Sequence, residues 1–235
     1  MRPMIVGALL LLAGSGHAAE TDLQTLVSPY LKAQEQRTLG VVAARAYAEP
    51  TRPGASPTPT PAVSVMLLPY SPSLDAELQA VKAGLRDSLE AFATAVTRVE
   101  TARVDYERAL LAVGGGELVR TETTDDQGAA RLQDLPAGEW LVLAWQEGGH
   151  LSKHFNIHGL EARQYPNMPT NVTYSVVTYW RLRVTVHPTE TVEVSLNDRN
   201  VWMTAARQEG GTPAPPRRSP SQKRRWGATP ESVAP

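Results

Sequence analysis

Apolar and polar residues alternate with a period of two along much of this chain, which predicts a largely β-structure. Residues 39–47 form the first predicted strand and residues 62–68 the second. Both faces of the second strand are partly apolar, so we expect it to be covered on both sides. Further strands are predicted after residue 120 at 139–145, 172–186, 191–196 and 201–205.

A helical period interrupts the strands between residues 73 and 113. One face carries an apolar stripe of coiled-coil type, made of Leu74, Leu78, Val81, Leu85, Leu89, Phe92, Val96, Val99, Tyr106, Leu110 and Val113. Ser73 can cap its start, and Gly114 stops its end. A continuous helix of this length would be ~60 Å long, about twice the length of a sandwich strand. We therefore predict a helical hairpin that turns near residues 94–101, with one long projecting helix as the alternative.

The first 18 residues have the pattern of a secretory signal. Arg2 supplies the positive charge, residues 5–13 the apolar core, and Gly16-His17-Ala18 a small-x-small cleavage site. The apolar core is too short for a bilayer, which needs roughly 20 residues, and no later segment predicts a transmembrane helix. We therefore expect a periplasmic or secreted protein, with a short helical segment over residues 19–38.

Two proline-rich segments predict irregular structure. Residues 50–61 favour extended polyproline-like conformations and are predicted to be a solvated loop that does not pair into a sheet. From residue 208 to 235 the chain has almost nothing to bury, which predicts a disordered tail. That tail contains a basic cluster of Arg217, Arg218, Lys223, Arg224 and Arg225 beside Trp226.

Composition narrows the classes of function. The chain has 235 residues, enough to bury a core, and no cysteine, which excludes disulfides, thiolate nucleophiles and cysteine-ligated metal clusters. The net charge of −1 gives no whole-protein reason to expect nucleic acid as a partner. Because Gly-x-Ser-x-Gly, His-Glu-x-x-His and phosphate-binding glycine motifs are absent, we expect a non-enzymatic protein without a cofactor.

Two turns between residues 121 and 145 carry a resemblance to a known family. A polar strand enters Asp125-Asp126-Gln127-Gly128, and a short strand then leads through Leu135-Pro136-Ala137-Gly138 into an apolar strand. The pattern resembles the core of the carboxypeptidase regulatory-like domain, a transthyretin-like β-sandwich found in bacterial envelope proteins. The resemblance implies a mainly β, transthyretin-like or Ig-like sandwich over residues 39–207, α+β overall. The helical hairpin at 73–113 would be inserted between its second and third strands.

Within this pattern, alternate side chains are assigned to opposite faces. Leu132 and Leu135 would point inward before the second turn, and Leu141 and Leu143 after it. The tryptophans are predicted to be core residues, whereas a row of exposed aromatic rings on one sheet would indicate sugar binding. The four in question are Trp140, Trp145, Trp180 and Trp202.

Three histidines form the candidate metal site. His150, His154 and His158 are spaced four apart, so on a helix they would share one face and could bind zinc, copper or nickel. The surrounding glycines and alternating pattern favour a strand, on which residues four apart are ~13 Å from each other, too far to chelate one ion. Asp125 and Asp126 are calcium candidates, although hairpin turns favour aspartate without an ion.

Two surfaces are candidates for binding a partner. The first is the helical stripe, which either packs on the sandwich, the preferred interpretation, or presents Leu85, Leu89 and Phe92 to a partner. The second is the basic tail with Arg217, Arg218, Arg224 and Arg225, which could touch anionic headgroups, cell-wall polymer or an acidic protein. We thus predict an exported structural or interaction module of the bacterial cell envelope, with another envelope protein or a cell-wall component as partner. The protein could fill this role as an accessory subunit of a larger complex. The alternatives are a metal-binding protein and a carbohydrate-binding module. The sequence leaves the oligomeric state open.

Overall fold

The computed structural model describes the backbone of residues 15–154 and 169–213. The chain divides into two units, one of residues 1–151 and 174–208, the other of residues 152–173 and 209–235. The first unit contains the helices and both sheets, and the described part of the second consists of strand segments. The signal prediction for residues 1–18 and the prediction of a disordered tail fall largely outside the described residues.

The described residues contain three α-helices and nine strands, with short 3₁₀ helices at Gly116–Leu118 and Asp198–Asn200. In order they are α1 (Ser15–Glu35), β1 (Leu39–Ala48), β2 (Thr58–Pro59), β3 (Ser64–Pro69), α2 (Pro72–Gly84), α3 (Leu89–Ala112), β4 (Arg120–Thr123), β5 (Ala129–Pro136), β6 (Gly138–His154), β7 (Pro169–Val186), β8 (Thr191–Leu196) and β9 (Met203–Pro213). Because β9 continues to Pro213, the prediction that irregular structure begins at residue 208 is wrong for its first six residues. None of the described helices is long and apolar enough to cross a bilayer.

The strands form two sheets, which confirms a mainly β fold with α+β character. In the four-stranded sheet, β1 pairs antiparallel with β2 and β5 and parallel with β8. The five-stranded sheet has the order β4-β3-β6-β7-β9, with β3 antiparallel to β4 and β6. Both sheets contribute to one apolar core, with Val42 and Leu132 from the first and Val65 and Val142 from the second.

Helices α2 and α3 cover the other face of the five-stranded sheet, whereas α1 contacts β5 and α3. On this side Tyr106 of α3 donates to the Pro69 carbonyl of β3 at 2.9 Å, and Asp75 of α2 pairs with Arg181 of β7. Strand β3 and residues 140–144 of β6 are therefore buried on both faces; on β3 the adjacent residues Met66 and Leu67 are 5% and 0% exposed. This confirms the prediction that the second strand recognised in the sequence is covered on both sides.

The helical hairpin is confirmed, but the prediction that it turns near residues 94–101 is wrong. The turn lies between Gly84 and Leu89, where Ser88 accepts a hydrogen bond from the Ala91 amide at 2.9 Å and so caps α3. Ser71 rather than Ser73 caps α2. The apolar stripe continues in phase through the turn, so its period alone could not locate the break.

The prediction that the proline tract stays out of the sheets is also wrong. Thr58 and Pro59 pair with Ala48 and Tyr47 of β1, and the Thr60 amide donates to the Ala46 carbonyl at 3.0 Å. A proline is tolerated in such a short edge pairing because its missing N–H can face away from the ladder.

Three tyrosine hydroxyls are withdrawn from water. Tyr30 donates to the Glu139 carbonyl, Tyr106 to the Pro69 carbonyl, and Tyr179 lies 2% exposed beneath α3. Burial raises the pKa of each phenol above its ordinary value near 10, because the phenolate would lose its hydration.

We expect the free energy of unfolding to fall steeply above pH 10. There the unfolded chain loses phenol protons that the native state still holds, so raising the pH favours unfolding. The stability from these groups is complete below pH 10, and each tyrosine then removes up to about 1.4 kcal/mol per pH unit. Urea unfolding at pH 9, 10 and 11 should give a shallower decline for Tyr179→Phe than for the wild type. Parallel declines would contradict the assignment to buried phenols.

Candidate functional site

The outer faces of the two sheets differ in what covers them. Helices α2 and α3 lie on the five-stranded sheet, whereas many outward side chains of β1, β5 and β8 in the four-stranded sheet are open to solvent. These exposed positions alternate with the buried ones along β1, β5 and β8, and include Arg45, Ala129, Arg131, Glu193 and Ser195. The four-stranded sheet therefore presents an uncovered polar face.

On this face the strand register makes short and long side chains alternate both along each strand and across neighbouring strands. Ala43 lies between Glu193 and Arg131, and Arg45 lies between Ser195 and Ala129. Because neighbouring strands are ~4.8 Å apart, Glu193 and Arg131 stand about 10 Å apart across Ala43. The two alanines leave space between the longer side chains.

This space forms two adjoining depressions, which we call the outer trough. The narrower one has a volume of about 360 Å³ and includes Ala43, Ala129 and Asp125 in its lining. The wider one has a volume of about 530 Å³ and is lined by Arg45, Tyr47, Glu49, Ser56, Pro57, Pro59, Gln127 and Ser195. Arg45 and Gln127 line both, so the depressions meet at these residues.

Asn197 fixes the polar groups at the wide end. Its side-chain amide donates to the Tyr47 hydroxyl at 3.0 Å and to Glu49 Oε1 at 3.2 Å. Its own backbone carbonyl accepts from the buried Trp180 indole at 2.8 Å, which links this end of the outer trough to the core. Because Tyr47 accepts in this contact, its hydroxyl proton is free to be donated to a ligand.

The turn at residues 125–128 positions Gln127 in the outer trough. Asp125 Oδ1 accepts from the amides of Gln127 and Ala129, both at 2.9 Å, and the Gly128 amide donates to the Asp125 carbonyl at 2.9 Å. Gly128 has φ +70°, which glycine adopts without strain. These contacts confirm the tight turn and explain Asp125 without an ion. Among the described residues no group of three histidine, aspartate or glutamate side chains could hold a metal.

The charged groups at the centre of the outer trough form no ion pair in the part of the chain that the structure describes. Within the described residues, ion pairs form elsewhere, for example between Arg207 and Glu147 and between Arg199 and Glu49. None of these pairs includes Arg45, Arg131 or Glu193. A ligand could therefore contact two guanidinium groups and one carboxylate without breaking any ion pair formed among residues 15–154 and 169–213.

The helical stripe packs onto the sandwich, as the preferred interpretation had it. Leu78, Val96, Val99 and Leu110 are fully buried. Of the three candidate partner contacts, Leu85 packs against the core, Phe92 is 37% exposed, and the Leu89 side chain lies outside the described residues. The candidates Arg217, Arg218, Arg224 and Arg225 also lie outside them.

The structure places two of the candidate metal-binding histidines on a strand. His150 and His154 lie on β6, and their side chains lie outside the described residues. His158 lies outside them altogether. The helical arrangement that would bring their side chains together therefore does not apply to His150 and His154.

The four tryptophans do not form an exposed row. Trp140, Trp180 and Trp202 are buried, and half-buried Trp145 lies beneath Arg103, whose guanidinium carbon is 5.6 Å from the ring centre. Their assignment to the core is confirmed for the three buried rings. The residues of the outer trough were missed in the sequence because they are ordinary polar positions of alternating strands.

The comparisons with known proteins give only distant likenesses. No protein-family model matches the chain, and no curated protein matches it significantly. A crystal structure of a Pseudomonas aeruginosa protein to which carbohydrate binding is ascribed is 16% identical, with 68% of this chain and 88% of that chain covered at a TM-score of 0.35. The minor pilin of Streptococcus agalactiae is 12% identical, with 76% and 100% covered at a TM-score of 0.26. At such TM-scores neither likeness carries an argument about ligand or partner.

Proposed function

We propose that this chain is an exported, non-enzymatic interaction module of the bacterial cell envelope that binds through the outer trough. The observation that carries the proposal is the unequal covering of the two sheets. Helices α2 and α3 cover the five-stranded sheet, whereas the four-stranded sheet keeps an open face whose central charges form no ion pair with another described residue. In this role the chain would act as the carboxypeptidase regulatory-like domains that its turns resemble.

Rigid strands support this use of the outer trough. Its side chains project from β1, β5 and β8, and a core of fully buried residues such as Val42 and Leu196 lies directly beneath. The backbone that carries these groups is already fixed before a ligand binds, so binding orders only their side chains, which favours affinity over a site on a mobile loop. The open face also leaves a bound molecule in contact with water, an arrangement better suited to recognition than to chemistry that must exclude water.

The other candidate surfaces have less support. The packed stripe leaves Phe92, Val104 and Leu111 as separate exposed apolar side chains, with 37%, 37% and 70% exposure, so the helical hairpin is a secondary contact in this proposal. His150 and His154 lie on a strand and not on the helix that metal binding by residues four apart would need. Metal binding by the full set of three histidines stays a prediction that elemental analysis of the purified protein tests.

Filling the outer trough is expected to abolish partner capture. Ala129 is exposed on the sheet, so Ala129→Leu adds volume to the narrow depression without changing charge or disturbing the core. In a pull-down from the native envelope fraction, components retained by the full chain should fall at least tenfold with this variant. Quantitative mass spectrometry measures the loss.

The matched control changes an exposed apolar residue on the opposite side of the fold. Leu111→Ser, on α3, should retain the same components as the wild type. If Leu111→Ser loses them while Ala129→Leu keeps them, the binding surface is the helical hairpin and the proposal fails. Circular dichroism of both variants confirms that each is folded.

A further inference from the structure

The mixed charge of the outer trough identifies its ligand class, and this step rests on the proposed function of that surface. We infer that the outer trough binds an uncharged oligosaccharide. Arg45 and Arg131 carry only hydrogen-bond donors, Glu193 only acceptors, and Gln127 and Ser195 offer both. A ligand that covers the surface must therefore both accept and donate within about 10 Å.

Sugar hydroxyl groups meet this requirement because each one both donates and accepts. An anionic polymer would place negative charge beside Glu193 and Glu49, and a cationic one would place positive charge beside Arg45 and Arg131. Bringing like charges together on binding is unfavourable. Either polymer would therefore be attracted by the residues of opposite charge in the outer trough and repelled by those of like charge. The uncharged ligand has no such conflict.

The wide end supplies an apolar surface of the kind that sugar rings also need. Tyr47, Pro57 and Pro59 line this depression, and the Tyr47 ring is held by the hydrogen bond from Asn197. An aromatic ring with a polar tip can pack against ring C–H groups while its hydroxyl binds a neighbouring oxygen. Recognition here depends on Tyr47 and the exposed polar groups of the outer trough, and not on the buried tryptophans.

The floor of the outer trough is also long enough for more than one sugar unit to lie along it. Ala43 and Tyr47 are four residues apart on β1, which separates their Cα atoms by ~13 Å. The polar groups at the centre and the tyrosine at the end would then contact successive parts of the same oligosaccharide.

Binding to a panel of soluble glycans tests the inference with the full chain. The panel contains neutral gluco-, manno-, galacto- and chito-oligosaccharides, oligogalacturonates as anionic counterparts, and an uncharged polar peptide. We expect binding of at least one neutral glycan by calorimetry, with a Kd that changes less than twofold between 50 and 500 mM NaCl. Ionic recognition would weaken much more over that range because salt screens exposed charges.

Single substitutions test whether the glycan binds in the outer trough. Arg45→Ala and Glu193→Gln should each raise the Kd at least fivefold, and Ala129→Leu at least tenfold. Arg98→Ala and Glu77→Gln, which change exposed residues of α3 and α2, should stay within twofold of the wild type.

The outcomes separate this inference from the proposed function. If Ala129→Leu abolishes envelope capture but no neutral glycan binds, or only the anionic glycan or the peptide does, the oligosaccharide assignment is overturned and the interaction surface stands. If Ala129→Leu changes neither glycan binding nor envelope capture, both are overturned.

Discussion

Replacement of Gly128 by alanine is expected to lower the free energy of unfolding by about 2–5 kcal/mol. An alanine in the left-handed region costs roughly 1–2 kcal/mol, and an overpacked site about 1–3 kcal/mol more. A Cβ at this position would lie 2.1 Å from the Ala46 carbonyl oxygen and 3.1 Å from the Thr60 amide nitrogen. Both are backbone atoms, so a side-chain rotation cannot relieve the contact.

Gly54→Ala is the matched control for this change. Gly54 also has a positive φ, +83°, but a Cβ there would meet no heavy atom within 4 Å. It should therefore lose only the conformational part, about 1–2 kcal/mol. Urea unfolding followed by tryptophan fluorescence compares the two variants with the wild type. If both variants lose the same free energy of unfolding, Gly128 is not needed for the close approach of the proline tract to β1.

The same substitution should also loosen the outer trough. Gly128 closes the turn that positions Gln127, and its carbonyl accepts from the Ala46 amide at 2.7 Å. Displacing β2 from β1 would move Pro59 away from Tyr47, its partner in the strand register. Ligand capture should consequently fall in Gly128→Ala under conditions where the variant is still folded, and should not fall in Gly54→Ala.

Local patterns predicted the parts of the fold that local chemistry determines. The turn at Gly128 follows from Asp125 and glycine within four residues, and the period of two located β1 and β3 to within two residues at each end. The helical stripe likewise predicted both helices, but Ser88 is one polar residue among several, and its capping role needed the structure.

The outer trough depends on pairings between distant parts of the chain, which the sequence does not show. Ala43 and Glu193 meet because β1 and β8 pair in parallel across about 150 residues of sequence. Alternation predicted which side chains share a face within one strand, but not which strands are neighbours. Nor did it indicate that helices would cover one sheet and leave the other open. Polar residues such as Arg45 and Arg131 therefore became candidate binding residues only when the strand register placed them next to Ala43 and Ala129.

Trp140→Ala is expected to have a similarly large effect, lowering the free energy of unfolding by about 3–5 kcal/mol. The Trp140 side chain is 0% exposed, and its indole N–H donates to the Pro136 carbonyl at 3.0 Å. Its ring also meets that of Tyr30 edge to face, with centres 5.3 Å apart. Because Tyr30 belongs to α1, the truncation would weaken both the core and the attachment of this helix.

Two further variants separate the contributions of Trp140. Trp140→Phe keeps an aromatic ring but loses the hydrogen bond to Pro136, so it should cost only about 1–2 kcal/mol. Trp145→Ala removes a half-buried ring of the same strand and should cost less than Trp140→Ala, because less apolar surface is lost from the core. Urea unfolding by circular dichroism measures all three. If Trp145→Ala proves the more damaging, the end of the sandwich next to α1 is not where the core is most tightly packed.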